Sequence, residues 1–198
     1  MRDTPTLARL HSLYLFAFST GWRPCELLAV GPEQLDLDRG LAWLERHLVR
    51  VTEDGAGRWE FKPGSKIGKR YAVPLTEKLC QSLAARLEIV SFEASSAASW
   101  TDWDLLWPAL DGRPTWVQAL RDHLERACAV AELPRLTPHH LFRRGASTLL
   151  KAEGVDAKTR AAMLGHSRVA TTEDVYTDVL PDDLRAAAET MGRLLGET

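Results

Sequence analysis

Between Thr6 and Ser19, Leu7, Leu10, Tyr14 and Ala17 recur at helical spacing, and Leu13, Phe16 and Phe18 widen the apolar surface, which predicts a largely buried helix. Gly21 breaks it. Pro24 suits the first turn of a second, short helix through Glu26, Leu27 and Leu28, which Gly31-Pro32 ends, so Arg23 falls at a helix start. From Leu41 to Pro74 the pattern changes to short apolar stretches, Leu41 to Leu44, Leu48 to Val51, Trp59 to Phe61 and Tyr71 to Val73, separated by turns containing glycine. That pattern predicts a small antiparallel sheet. Thr76 then caps an amphipathic helix carrying Leu79, Leu83, Leu87 and Val90, and the Ser/Ala-rich stretch from Ser91 to Ser99 reads as a loop within the domain. Helical spacing resumes at Trp116, Leu120, Leu124 and Ala127. Further helices are expected at about Pro138 to Glu153, stopped by Gly154, at Asp156 to Leu164, stopped by Gly165, near Tyr176, and at Pro181 to Leu195. No internal repeat is evident. The fold class expected is α+β, mainly α: a helical domain with one small antiparallel sheet.

A chain of 198 residues, 45% hydrophobic and 26% charged, fits one soluble domain, taken here as residues 1–198. No apolar run approaches the roughly 20 residues of a membrane span. The N-terminus lacks a secretory pattern, and the thiols of Cys25, Cys80 and Cys128 are odd in number and widely spaced, which predicts packing residues in a reducing cytoplasm. The net charge of −2 argues against a nucleic-acid partner. Its distribution points the other way: acidic residues gather in Glu33 to Asp38, at Asp102 and Asp104 and from Glu173 to Asp183, leaving Arg58 to Lys78 and Arg135 to Lys151 basic. A basic face on a neutral body is therefore compatible with the composition.

The stretch with most chemistry is His139-His140-Leu141-Phe142-Arg143-Arg144, followed by Leu164-Gly165-His166 and then Tyr176. On a regular helix His140 and Arg143, three apart, share a face. Leu164-Gly165 ends a helix and presents His166 at the following turn, while Thr171-Thr172 suits the cap of a short helix carrying Tyr176. A single His or Tyr on a helix is most often a packed or solvated residue. Two imidazoles, a guanidinium and a phenol in convergent positions are a different matter. A zinc pair at His139-His140 is rejected, because adjacent helical residues point apart and no Cys or carboxylate lies at ligand spacing, so no metal is expected.

Thr20-Gly21-Trp22-Arg23-Pro24-Cys25-Glu26-Leu27-Leu28, the His140/Arg143 pair, and Leu164-Gly165-His166 through Thr171-Thr172 to Tyr176 together resemble, in order and spacing, the boxes of the tyrosine recombinases, or phage-type integrases. The resemblance covers nearly the whole chain. It implies the DNA breaking-rejoining fold, with Arg23 and Arg143 as the catalytic arginines, His140 as the histidine preceding the second of them, His166 as the histidine of the Leu-Gly-His box and Tyr176 as nucleophile. Lys66, ahead of Arg70-Tyr71-Ala72-Val73-Pro74-Leu75, takes the place of the family's hairpin lysine, with Lys62 and Lys69 as rivals. Lys62, Lys69, Arg70 and Arg144 are further candidates for DNA contact, Arg144 standing where many members have His. Glu26 resembles the acidic residue one turn beyond the first arginine, suited to orienting Arg23. The N-terminal core-binding domain of typical members is not found, so the chain reads as a catalytic domain alone.

Attack by a phenol on a phosphodiester builds negative charge on a five-coordinate phosphorus. Forked, permanently charged guanidiniums suit that charge. A phenol of pKa about 10 needs a base, for which His140 is the candidate, and the departing 5′-oxygen needs a proton, which Lys66 would supply. His166 would hold the phosphate or the nucleophile. No metal or nucleotide cofactor is required, since a 3′-phosphotyrosine conserves the energy of the cut strand. The implied partner is a double-stranded DNA recombination site, with a tetrameric synapse on DNA and a largely monomeric chain off it. A type IB-like topoisomerase, a telomere resolvase, a non-catalytic DNA-binding module of the same fold and an unrelated helical interaction domain are the competing readings. Leu184, Ala187, Ala188, Met191 and Leu195 form an apolar face on the segment 181–198, which packs either within its own domain or on a neighbouring protomer.

Overall fold

The structure, a computed structural model, describes residues 4–54, 56–65, 70–165 and 181–196. Its first helix, α1 (Thr4–Thr20), ends where Gly21 turns into the left-handed region at φ +60°. A four-residue helix, α2 (Pro24–Leu27), follows with proline in its first turn. Five strands come next: β1 (Leu35–Asp36), β2 (Leu41–Leu44), β3 (Arg46–Glu53), β4 (Ala56–Pro63) and β5 (Tyr71–Pro74). Helices α3 (Glu77–Ser96) and α4 (Val117–Val130) precede a wide turn at His139–Arg144, which runs directly into α5 (Gly145–Ala152); α6 (Ala157–Met163) and α7 (Pro181–Leu194) complete the order.

The strands depart from the single sheet expected from the sequence. β2 pairs antiparallel with both β1 and β5, and β3 pairs only with β4, so a three-stranded sheet and a separate two-stranded ribbon result. The ribbon leaves the sheet at Glu45, whose carbonyl accepts a hydrogen bond from the Gly64 N–H, while the Gly64 carbonyl meets Nδ1 of His47 at 2.9 Å. Both ribbon ends are thereby clamped at one point, next to the segment that contains Lys66.

The stretch expected as a loop from Ser91 also differs, because α3 continues to Ser96. A charge cluster holds those extra turns. Glu93 accepts hydrogen bonds from Arg9 Nε at 2.6 Å and from Arg86 Nη2 at 3.0 Å, and the buried Arg86 also donates through Nε to the Leu106 carbonyl at 2.9 Å. A tie between α1 and α3 thus overrides a composition that reads as loop.

The core is built around α1. Leu13, Phe16 and Ala17 are fully buried with Trp22, Leu27, Val73, Leu83, Leu106 and Phe142. Phe16 meets Trp22 edge-on at 5.2 Å, and Phe18 meets Phe142 edge-on at 5.4 Å. Ala187, Ala188 and Met191 of α7 are buried too, with α7 packing on α5, α6, α1 and β5 of the same chain. In the isolated chain the apolar face of α7 is therefore covered by its own domain.

Burial alone would raise the Glu93 carboxyl, but the hydrogen bonds and charges of Arg9 and Arg86 hold it below the usual carboxylate range. A carboxylate depressed in the folded state stabilises fully above its unfolded value of about 4.3, and that stability is lost as pH falls through the folded value. Glu93→Gln is expected to cost about 2–3 kcal/mol in urea denaturation at neutral pH, and its deficit relative to the parent should shrink as pH falls below about 4. An unchanged denaturation midpoint would remove the cluster from the account of α3.

Candidate active site

Arg23 occupies the position before the first turn of α2, with extended backbone at φ −71° and ψ 152°. Glu26, fully buried, reaches back to it twice: Oε2 accepts the Arg23 backbone N–H at 2.7 Å, and Oε1 accepts Nη1 of its guanidinium at 3.1 Å. One carboxylate thus satisfies an orphan donor of the helix start and fixes the direction of the arginine. The Arg23 side chain remains 24% exposed, so a charged partner can reach it from solvent.

Arg143 lies deeper, at 4% exposure. Its Nη1 donates to the Gly21 carbonyl at 2.9 Å, while Nη2 is buried and has no hydrogen-bond partner among the described residues. Burial first, and the charge of Arg23 second, hold this guanidinium below its ordinary pKa, with Tyr71 and Glu26 opposing. A buried, charged N–H group without an acceptor costs more than the roughly 1–3 kcal/mol of a neutral one. An anion seated against Arg143 and Arg23 would recover that cost.

Two glycines bring the remaining elements onto this pair. At Gly21 a Cβ would collide with the Leu164 side chain, and at Gly165, φ +62°, a Cβ would collide with the Tyr71 ring and hydroxyl. The turn after α6 therefore nests simultaneously against the end of α1 and against β5, beside both arginines. Tyr71 was not singled out from the sequence. Burial, then the nearby Glu26 carboxylate, push its phenol well above its ordinary pKa, with Arg143 and Arg23 pulling the other way, so it stays protonated. The available signal was its place in the sequence between the cation-rich Lys66 to Arg70 and the apolar Val73-Pro74.

The histidines depart from the geometry expected of a regular helix. Over His139–Arg144 the chain winds in a π-type turn, in which the Gly145 N–H bonds to the His140 carbonyl five residues back. The reason lies in packing. Phe142 is fully buried between Tyr14 and Phe18, with ring centroids at 5.5 and 5.4 Å, while the adjacent Arg143 is buried toward Gly21. A wider turn lets two consecutive residues face inward. His139 and His140 are both exposed, with their rings 6.0 Å apart, and the shared face of His140 and Arg143 inferred from α-helical spacing does not apply.

Arg144 and Arg70 are exposed, as is the Lys62 ammonium, which pairs with Glu60 at 2.8 Å on the ribbon. Lys66, Lys69, His166 and Tyr176, with the Thr171-Thr172 cap, lie outside the described residues. Among the described residues no group of three His, Cys, Asp or Glu is placed to hold a metal ion. None of the described helices is long and apolar enough to cross a membrane.

Comparison with known proteins places this arrangement. The model of the phage integrase family matches residues 1–182. The chain is 31% identical over 196 residues to tyrosine recombinase XerA of Thermococcus kodakarensis, covering 98% of this chain and 60% of that one. It is 28% identical to the XerC-like tyrosine recombinase of Caldanaerobacter subterraneus subsp. tengcongensis, covering 94% of this chain and 50% of the relative. It thus spans little more than half the length of these relatives. Among solved structures, the Tn1549 transposon integrase in complex with a circular intermediate DNA superposes with a TM-score of 0.67 at 19% identity, over 91% of this chain and 58% of that one. A XerA recombinase crystal structure gives 0.61 at 22% identity, over 93% and 58%. The fold is the helical catalytic fold with a small antiparallel sheet that these proteins share.

Replacing Gly21 by Ala is expected to destabilise the chain by about 2–4 kcal/mol, from left-handed backbone strain of roughly 1–2 kcal/mol and from the clash with Leu164. In a Leu164→Ala background only the strain part should remain. Equal losses in both backgrounds, read by thermal or urea unfolding, would show that Gly21 and Leu164 do not meet.

Proposed function

The chain belongs to the phage integrase family, and from that premise we propose that it is the catalytic domain of a site-specific recombinase that cuts and rejoins duplex DNA through a 3′-phosphotyrosine. The observation that carries this reading is the buried Arg143 guanidinium in the field of Arg23, with Nη1 bonded to Gly21 and Nη2 without an acceptor among the described residues. A scissile phosphate is the anion that such a pair suits. Its non-bridging oxygens take the free N–H groups of both arginines, which bind more strongly as charge builds on the five-coordinate phosphorus. Glu26 keeps Arg23 aimed without neutralising Arg143.

Tyr176 is the nucleophile in this reading. Its hydroxyl oxygen attacks phosphorus, its proton passes to an imidazole of the His139-His140 turn, and the bond to the 5′-oxygen breaks as Lys66 protonates the leaving group. His166 holds a phosphate oxygen. Rejoining runs the same steps backward from a 5′-hydroxyl, so neither a metal nor a nucleotide is consumed. Tyr71 is no rival nucleophile, because burial and the nearby Glu26 carboxylate hold its phenol well above its ordinary pKa and so protonated. The partners proposed are a double-stranded recombination site and further protomers assembled on it in a tetrameric synapse, in the cytoplasm.

The test is a randomised pool of nicked duplexes, labelled on the strand that would become attached and designed so that the cut fragment diffuses away. A detergent-resistant covalent adduct is expected with the parent chain and none with Tyr176→Phe. Arg143→Ala should lower adduct formation by roughly a hundredfold or more, the loss typical of one transition-state donor. An adduct formed equally well by Tyr176→Phe would overturn the nucleophile, and tight DNA binding with no adduct from the parent would favour a DNA-binding module that retains the fold.

A further inference from the structure

Two exposed imidazoles stand beside the arginine pair, and sequence order favours the second. We propose that His139, rather than His140, is the imidazole that contacts a phosphate held by Arg23 and Arg143. The inference rests on the phosphate-site reading above and settles which ring serves it.

The winding of the turn separates the two candidates. In a regular α-helix, at about 100° per residue, positions three and four before an arginine are turned from it by roughly 60° and 40° and are near equivalents. Around Arg143 the winding is i→i+5, with roughly 4.4 residues per turn. A residue four positions back then lies about a tenth of a turn from Arg143, and one three positions back about a third of a turn away. His139 is the former and His140 the latter.

The electrostatics follow the geometry. Burial first, and then the charges of Arg143, Arg144, His140 and Arg23, hold the His139 imidazole below its ordinary pKa. Arg143, Arg144 and His140 belong to the same turn, whereas Arg23 belongs to the start of α2, so His139 feels arginines from two separate elements. Glu26 and Tyr71 act on the guanidiniums. The burial and the positive charges around His139 disfavour the protonated ring. A phosphate seated between the arginines offsets their field and favours the protonated ring, which donates an N–H to a phosphoryl oxygen. Phosphate binding is thereby linked to proton uptake at His139.

Imidazole resonances of the intact chain, assigned with His139→Gln and His140→Gln, can be followed against pH with and without inorganic phosphate. The His139 pKa is expected to rise by about one pH unit in saturating phosphate, a tenfold linkage, and the His140 pKa to rise less. His139→Gln should weaken phosphate binding by roughly tenfold, Arg143→Ala should abolish it, and on the nicked-duplex pool His139→Gln should lose at least about tenfold more adduct than His140→Gln. Phosphate that binds while His140 responds as strongly as His139, or while neither responds, overturns the assignment and leaves the phosphate site standing. Absence of phosphate binding to the parent chain overturns both. Circular dichroism of each variant separates a lost contact from a lost fold.

Discussion

The hydrogen bond from buried Arg143 to the Gly21 carbonyl is the constraint around which the domain is arranged. A guanidinium at 4% exposure is tolerated only where acceptors and opposing charge are supplied, and Glu26, the carboxylate that acts on it among the described residues, is already engaged by Arg23. Gly21 must therefore turn its carbonyl away from α1 toward Arg143, which its left-handed backbone permits. The same backbone, without a Cβ, admits Leu164. One residue thus ends a helix, accepts the buried charge and seats the turn that leads toward His166.

Packing reinforces this arrangement from the opposite side. Phe142, adjacent to Arg143, is locked between aromatic rings of α1, so the turn cannot rotate to relieve the arginine without tearing the core. Gly145 brings the start of α5 close to Phe18, where an added Cβ would stand 3.4 Å from the ring. The unsatisfied nitrogen of Arg143 is consequently held in place by the hydrophobic interior. A phosphate bound there, as proposed, would meet a donor that need not reorganise.

Much of this was legible in the sequence, and the failures have a common cause. Gly21, Pro24 and Glu26 announce the helix break, the helix start and the partner of Arg23 through local chemistry, and the structure keeps all three. The apolar spacing on α7 likewise identifies the residues that become buried, Ala187, Ala188 and Met191. What local chemistry does not contain is competition between distant contacts. The turn at His139–Arg144 widens because Phe142 and Arg143 are both claimed by α1 and the residue after it, and α3 outruns its expected end because Arg9, 84 residues away, claims Glu93. Tyr71 escaped notice for the same reason, since its meaning comes from Gly165 across the fold.

The net charge of −2 also reads differently once the pairs are placed. Arg46 bonds Glu33 at 2.9 Å, Arg58 bonds Glu60 at 2.7 Å, Lys62 shares that same Glu60, Arg135 bonds Glu125 at 2.9 Å, and Arg9 and Arg86 share Glu93. Within the basic stretch from Arg58 to Lys78, Arg58 and Lys62 are thus paired locally with Glu60, and exposed pairs of this kind are screened by salt. Arg143 and Arg23 differ in kind: each guanidinium lies in the other's field, the buried Glu26 is the carboxylate that acts on both among the described residues, and around Arg143 that field is poorly screened. A chain can thus be acidic overall and still concentrate positive potential where a phosphate would sit.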